Sequence, residues 1–518
     1  MMTRRETLGL FAAGSVAVLL PACGSAADGP VEGTRSPQLA PDRRWLSLLG
    51  QSLAQEFDYT ATVEGVLPPG LTGTLYRNGP GLFEREGFRK RTVLDGDGMI
   101  RAVSFQGGVA RFRNRFVRTA KFTKEEARGR FLYPTWTTPA PSLLDNIPGM
   151  PALSQAGVTP VLKQGRLLAF DEMGKPYELD PMTLETRGEL EVCDSARPAH
   201  PRSYKAHTKT DGATGVWVLA GTSGGRNPDF QMLLKDRNGR QLVHLSVPNP
   251  SSHYLYNHDF FWAGRYAVFH LHPAVLSPLP MLLGARTFAD SLSWKPELGG
   301  QLLIIDTVGG AALTVEVPAV WMWHSVNAYQ SGTCIVADFV GYDAPDHFFG
   351  PGAAFRTVMQ GLEAAPCSPG QLRRFIIDVP GKTARLETVA SGHFEFPSIN
   401  PGRVGHRHRY AFVASGDIAN GWFHDGVARI DVESGVRQEF RFGPAHYVGE
   451  PVFAADETLA PGRDPERAGW LLCEVLDGAS KTSFIAVFDA ASINDGPVAR
   501  LRLNHHLPFS FHGWWKPA

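Results

Sequence analysis

Apolar residues along this chain come in short runs that alternate with polar positions and stop at a turn: "IRAVSFQGG", "PYELDPMT", "LLKDRNG", "LLIIDTVGG", "FIIDVPG", "ARIDVESG" and "AVFDAAS". Short runs rich in β-branched and aromatic residues, closed by Asp, Gly or Pro, predict strands, and long 3.6-residue periodicities are scarce. The turn residues are Gln106, Asp180, Asp236, Asp306, Asp378, Asp431 and Asp489, separated by 74, 56, 70, 72, 53 and 58 positions. A strand closing on Asp and then Gly or Pro is ordinary turn chemistry. Seven such turns in series, at supersecondary spacing, predict an all-β chain folded as a seven-bladed β-propeller, whose blades need ~40–50 residues plus insertions. The 55 Gly and 39 Pro supply the frequent turns this requires.

The phase after each turn carries chemistry. His207 lies 27 residues after Asp180, His258 22 after Asp236, and His324 18 after Asp306. Glu395 lies 17 after Asp378, Glu450 19 after Asp431, and His512 23 after Asp489. Only the first repeat is out of phase, with Glu172 following a long insertion after Gln106. Equivalent innermost strands of a propeller surround one axis, so residues at like phase converge there. Four histidines and three glutamates at one axis describe a metal site whose imidazoles are oriented by carboxylates. Nitrogen ligands of this kind suit Fe(II) better than Ca²⁺ or Mg²⁺, which take oxygen.

Charge excludes one class of partner: 51 basic and 51 acidic side chains give no basic excess, so no nucleic-acid partner is expected. Residues 1–23, "MMTRRETLGLFAAGSVAVLLPAC", read as an export signal peptide. The apolar run from Leu8 to Ala22 is shorter than the ~20 residues a membrane span needs. Arg4 and Arg5 resemble a bacterial twin-arginine signal, although Thr7 stands where an aromatic is usual. "LPAC" resembles a lipobox, which would make Cys23 a lipidated first mature residue; the alternative is an ordinary cleaved signal. The expected product is an exported bacterial protein, periplasmic or membrane-anchored, with residues 24–45 as a flexible tether and 46–518 as the propeller. Cys193, Cys334, Cys367 and Cys473 fit no zinc motif or disulfide framework and read as buried free thiols.

Several stretches resemble the carotenoid cleavage oxygenase family. "LTGTLYRNGPG" (71–81) and "LDGDGMIRAVSF" (94–105) are similar to its N-terminal signatures. "KAHTKTDGATG", "YNHDFFWAGRYAVF", "MWHSVNAY" and "FSFHGWW" are similar to its four histidine motifs. "RLLAFDEMGKPYELDPMTLET", "FEFPSINPGRVGHRHRY" and "VGEPVF" are similar to the segments holding its glutamates. The resemblance covers roughly residues 46–518 and implies a propeller with a loop and helix dome over one face. It implies one Fe(II) per chain, held by His207, His258, His324 and His512. Glu172, Glu395 and Glu450 would fix His258, His324 and His512, leaving His207 without a carboxylate. The implied activity is dioxygenase cleavage of a C=C bond of a carotenoid or apocarotenoid to two carbonyl products. A stilbene or similar phenylpropanoid alkene is the alternative substrate, and an inactive lipophile-binding propeller the alternative function. A Ca²⁺-dependent lactonase propeller would require oxygen ligands instead.

Other residues test the resemblance. All 17 histidines fall between positions 200 and 512, so most are not ligands. His200, in "PAHPR", is a decoy; the sequence after His207 continues in the family's strand-turn pattern. His270 and His272 are expected to be structural, His406 and His408 to be surface or hydrogen-bonded, and His505 and His506 to lie on the strand before His512. Gln330 replaces a frequent Glu away from the ligands. Val158, 14 residues before Glu172, stands where several members carry a threonine near an open iron position. Phe116 aligns with a tyrosine of stilbene-cleaving members and 130–158 contains no lysine, which favours carotenoids. The apolar, proline-broken stretch 274–288 reads either as dome core or as a tunnel lip touching a membrane surface.

Overall fold

In the computed structural model every one of the seven turn residues falls at the end of a blade's third strand. Gln106 ends Asp97–Gln106, Asp180 follows Tyr177–Leu179, and Asp236 follows Phe230–Lys235. Asp306, Asp378, Asp431 and Asp489 end Gly300–Asp306, Gln371–Asp378, Gly426–Asp431 and Thr482–Asp489. The aspartate itself makes the turn. Its Oδ1 accepts the backbone N–H two residues on at Met182 (2.8 Å), Asn238 (2.9 Å), Val308 (3.0 Å), Glu433 (3.0 Å) and Ala491 (2.8 Å). The structure describes residues 41–518 except 143–145, 147–152, 196–198, 225–226, 253, 363, 366 and 459–463. The expected signal peptide with Cys23, and most of the expected tether, lie outside the described residues.

Each blade is an antiparallel sheet with its first strand innermost. Blade 2 runs from Thr159–Lys163, blade 3 from Ser203–Thr210, blade 4 from Phe260–Ala263, blade 5 from Trp321–Ser331 and blade 6 from His393–Ser398. Both remaining blades are built from distant parts of the chain. Blade 1 takes Gly513–Pro517 as its innermost strand, paired to Gly73–Leu82 with Arg77 opposite Gly513. Blade 7, beginning at Val452–Ala455, is completed on its outer edge by Thr62–Gly65 paired to Ala499–Arg502. The ring is therefore latched twice, once at its axis and once at its rim.

Adjacent sheets bury their facing side chains against each other. Ile304 and Val315 of blade 4 meet Met322, Ile335 and Phe375 of blade 5, and all five are buried. The dome follows from strand direction. Blades 4 and 5 carry long insertions between their second and third strands, holding the short helices Pro278–Leu282 and Ala354–Thr357. In an antiparallel sheet that connection lies at the end where the innermost strand begins, so the insertions cover the starts of the inner strands. Beneath them sits an aromatic cluster including Trp321, Trp323, Phe355, Trp422 and Phe509.

Three details depart from the sequence reading. Pro41–Gly50 is a 3-10 helix with Trp45, Leu46 and Leu49 buried, so packed structure begins inside the expected tether. His505 and His506 follow the strand Ala499–Arg502 instead of lying on it: Asn504 and His505 form a bend, and Phe57 stacks on His505 at 4.3 Å. Of the four free cysteines, Cys193 and Cys473 are buried, whereas Cys334 and Cys367 are only partly so.

Candidate metal centre

Seven positions on or just before the innermost strands surround the axis, occupied by Val158, His207, His258, His324, Glu395, Glu450 and His512. This corrects the phase argument at one place. The seventh position belongs to Val158, immediately before Thr159–Lys163, and Glu172 reaches in from the turn after the second strand, Arg166–Phe170. The Val158 backbone ties this position to the others: its N–H donates to Phe170 O (3.0 Å), and its carbonyl accepts from His512 N–H (3.4 Å).

Local irregularities aim the side chains inward. Pairing in blade 3 shifts register between Tyr204 and Thr208, in blade 5 between Met322 and Ser325, and in blade 6 between Glu395 and Ser398. Bulges of this kind turn a side chain out of the regular pleat and are common beside functional sites. Gly79, within the strand Gly73–Leu82, lets the segment carrying His512 approach: a Cβ there would lie 2.8 Å from Phe509 O and Ser510 Cα. The neighbouring Asn78 grips that segment, receiving Phe511 N–H (3.0 Å) and donating its own N–H to His512 O (2.9 Å).

The four histidines converge. One nitrogen from each of His207, His258, His324 and His512 lies within 4.8 Å of all the others, and all four rings are buried. His207 Nε2 and His258 Nε2 are 3.0 Å apart. Two imidazole nitrogens at right angles around an ion, each at roughly 2.1 Å, would be separated by about that distance. His258 Nδ1 is 2.9 Å from Glu172 Oε1, His324 Nδ1 is 2.6 Å from Glu395 Oε2, and His512 Nδ1 is 2.8 Å from Glu450 Oε1. Each carboxylate accepts a hydrogen bond from Nδ1–H, which fixes the proton there and leaves Nε2 with a lone pair toward the axis. His512 Nε2 is buried with no hydrogen-bond partner, an arrangement that a metal ion would satisfy. His207 lacks a carboxylate, as the resemblance implied.

Burial, reinforced by His512, His258 and His324, holds His207 well below the usual imidazole range; burial and His324 do the same to His512. Burial also works against a charged His324, but the Glu395 carboxylate outweighs it and raises that group. Burial pushes Glu450 up to about 7 against the pull of Arg77. Neutral imidazoles and nearby carboxylates form a donor set that fits a divalent cation.

The histidines separate two cavities. On the dome side a 70 Å³ slot touches His258 and His324 and is walled by Trp136, Tyr256, Phe355, Phe396, Trp422 and Phe509. Val158 lines this slot, offering an apolar surface where the family pattern often has a hydroxyl. On the opposite side a 270 Å³ cavity along the axis touches His207, His324 and His512 and carries the polar Lys209, Asp259 and Asn327. Asp259 accepts from Lys209 and from Ser325 N–H (2.9 Å), linking blades 3, 4 and 5 just below the histidines.

The other histidines weighed in the sequence stand apart from the centre. His200 is 3.1 Å from Glu191 near the surface. His270 and His272 are fully buried, and His272 Nε2 accepts Met322 N–H at 3.2 Å. His406 approaches Asp211 (3.3 Å) and His408 bonds Asn327 (3.2 Å). Gln330 is exposed near the end of its strand. Phe116 does not line the slot. It packs in blade 1, stacked on Phe122 at 5.0 Å, so its lack of a phenol says nothing about substrate. Sequence reasoning missed the tunnel aromatics and Tyr256, whose hydroxyl donates to Glu172 Oε2 (3.1 Å). The one cue was its place two residues before His258.

A seven-bladed propeller with four axial histidines, three of them backed by glutamates beneath an aromatic dome, forms a centre that could hold a metal ion. The family model described as retinal pigment epithelial membrane protein matches residues 50–517. The chain is 31% identical to apocarotenoid-15,15'-oxygenase of Synechocystis, over 93% of this chain and 99% of that one. It is 27% identical to isoeugenol monooxygenase of Pseudomonas nitroreducens, over 88% and 94% of the two chains. The solved structure of cobalt-substituted Synechocystis apocarotenoid oxygenase superposes with a TM-score of 0.84 at 30% identity, over 92% of this chain and 99% of that one. The chain belongs to the retinal pigment epithelial membrane protein family, the carotenoid cleavage oxygenases.

Proposed function

We propose that this protein is a non-haem Fe(II) dioxygenase that cleaves a C=C bond of a carotenoid or apocarotenoid into two carbonyl products. The observation that carries this reading is the four-histidine centre opening onto a slot walled by aromatic rings. Bound iron would supply dioxygen activation. The protein's own part is positional. Flat walls at Trp136, Phe355, Phe396 and Trp422 stack an unsaturated chain, exclude water and place one double bond beside His258 and His324. Glu172, Glu395 and Glu450 keep the Nδ1 protons in place so that ring orientation does not drift.

The test is mass spectrometry of products from Fe(II)-loaded protein under labelled dioxygen, with an apocarotenal and a hydroxystilbene offered separately. A pair of labelled carbonyl fragments from the apocarotenal is the expected result. Fragments from the stilbene alone would move the substrate to phenylpropanoid alkenes, a reading favoured by the likeness to isoeugenol monooxygenase. No fragments from either would reject alkene cleavage for these substrates.

Delivery of such a substrate fits the dome's surface. Leu279, Leu282 and Leu283 on and beside Pro278–Leu282 are 64%, 57% and 60% exposed. Among the described residues no helix is long and apolar enough to cross a membrane, so this patch is suited to surface contact. Replacing Leu282 and Leu283 with Glu is expected to cut liposome binding at least several-fold; unchanged co-sedimentation would reject a membrane contact here. Export through the twin-arginine route rests on Arg4 and Arg5. Changing both to Lys should leave the protein in the cytoplasmic fraction, and undiminished export would reject that route.

A further inference from the structure

A second cavity of 130 Å³ lies beside the slot, and Trp136, Glu172 and Met173 line both. Its far side is chemically divided. Tyr254 and Phe288 give it aromatic walls, and Ser203, Thr222 and Lys205 give it a polar end. Trp136, Phe288 and Tyr256 pack together at ring separations of 5.1, 5.5 and 6.0 Å, so one aromatic group bounds both spaces.

Lys205 is the unusual member. It is only 5% exposed, and among the described residues it forms no ion pair. A buried lysine is rare unless paired. Its ammonium donates to Asn257 O (2.5 Å), one acceptor for three N–H groups. The two nearby carboxylates are held elsewhere: Glu172 by His258 and Tyr256, Asp259 by Lys209 and Ser325. The chamber thus combines an under-used donor with aromatic walls, and it shares Trp136, Glu172 and Met173 with the slot where the double bond would sit.

We propose that this chamber holds the oxygenated end of the substrate, a carbonyl or phenol oxygen that accepts from Lys205, and so sets which double bond lies beside the histidines. This rests on the alkene-cleaving reading above. The chemistry recognised is a hydrogen-bond acceptor oxygen at the end of a flat conjugated system. The ring or polyene adjoining it would lie against Trp136, Tyr254 and Phe288. An alkene with two hydrocarbon ends would forfeit this contact and bind in several registers.

The test uses metal-free full-length protein, so that it does not depend on turnover. Quenching of tryptophan fluorescence would measure Kd for two pairs: 4-hydroxystilbene against stilbene, and a polyene aldehyde against the hydrocarbon polyene of equal length. Wild type is expected to favour the oxygenated member of at least one pair about tenfold. Lys205→Met is expected to erase that preference while leaving hydrocarbon binding within about twofold. Thr222→Leu, which fills the chamber from another strand, should weaken the oxygenated ligand similarly and guards against a folding defect in the first variant. An unchanged preference in both variants would overturn the assignment, as would equal losses for both members of a pair with a lowered thermal unfolding midpoint, the mark of a structural lysine. Failure of the parent reading is separable: it would appear as no carbonyl fragments from iron-loaded wild type, whatever the binding preferences.

Discussion

A chain ending at Pro508 is expected to hold no stoichiometric metal and to lose the cooperative fold of blade 1. The loss has two parts. His512 disappears, and with it one nitrogen of the four and the acceptor-facing Nδ1 that Glu450 engages. The innermost strand Gly513–Pro517 disappears too, exposing the edge of Gly73–Leu82 inside the ring. Phe509 is fully buried against Phe355, Phe396, Tyr447 and Phe511, and removing such a ring costs about 3–5 kcal/mol by itself. That is a large share of the ~5–15 kcal/mol by which folded domains are stable. His512→Ala separates the parts: it should keep the near-ultraviolet circular dichroism of wild type yet lose bound metal, read by plasma mass spectrometry. One equivalent of iron in the shortened protein would sink the assignment of this segment to the centre.

Arg77→Met is expected to destabilise the protein by about 3–5 kcal/mol, because it strands buried carboxylates. Arg77 is 1% exposed and bonds Glu450 Oε2 (2.8 Å), Ser510 Oγ (2.6 Å through Nη2) and Phe511 O (3.3 Å). Its Nε is 3.7 Å from Glu474, which also pairs with the buried Arg101 at 3.2 Å. Arg77 therefore does three things: it balances Glu450, ties blade 1 to blade 7, and clamps the turn that presents His512. Methionine fills similar space but leaves Glu450 without its cation and the 510–511 segment without its donor. Differential scanning calorimetry should show Tm several degrees lower, with metal content falling in parallel. A Tm within a degree of wild type would show that the network contributes little.

The blades and the centre were legible for different reasons. In five blades the third strand ends in a turn that Asp closes locally, so the signal sits within a few residues, as at Asp306 with Val308 N–H. The phase of His324 and Glu395 agrees because the inner strand begins 15 residues after the turn at both Asp306 and Asp378. Glu172 broke the rule because it belongs to a turn one strand later, and Val158, at the ring position, has no chemistry that periodicity could flag. The rim latch was not readable at all: Thr62–Gly65 looks like any short polar strand, and its partner Ala499–Arg502 lies at the other end of the sequence. Lys205 was hidden in the same way. Residues 130–158 contain no lysine, and the chamber is assembled around Lys205 from Ser203, Thr222, Tyr254 and Phe288, which no local pattern joins.

Because blade 1 waits for Gly513–Pro517, the centre cannot be complete until that strand has emerged and paired with Gly73–Leu82. At translation speeds of ~5–20 residues per second, 518 residues take roughly half a minute to two minutes. Blades 2 to 6 have contiguous strands and can collapse as they emerge, bringing His207, His258 and His324 together around an open seam. The fourth imidazole arrives with the strand that seals that seam. Metal occupancy and topological completion are thus a single event, so a molecule that has captured its ion tightly is one whose ring is already closed.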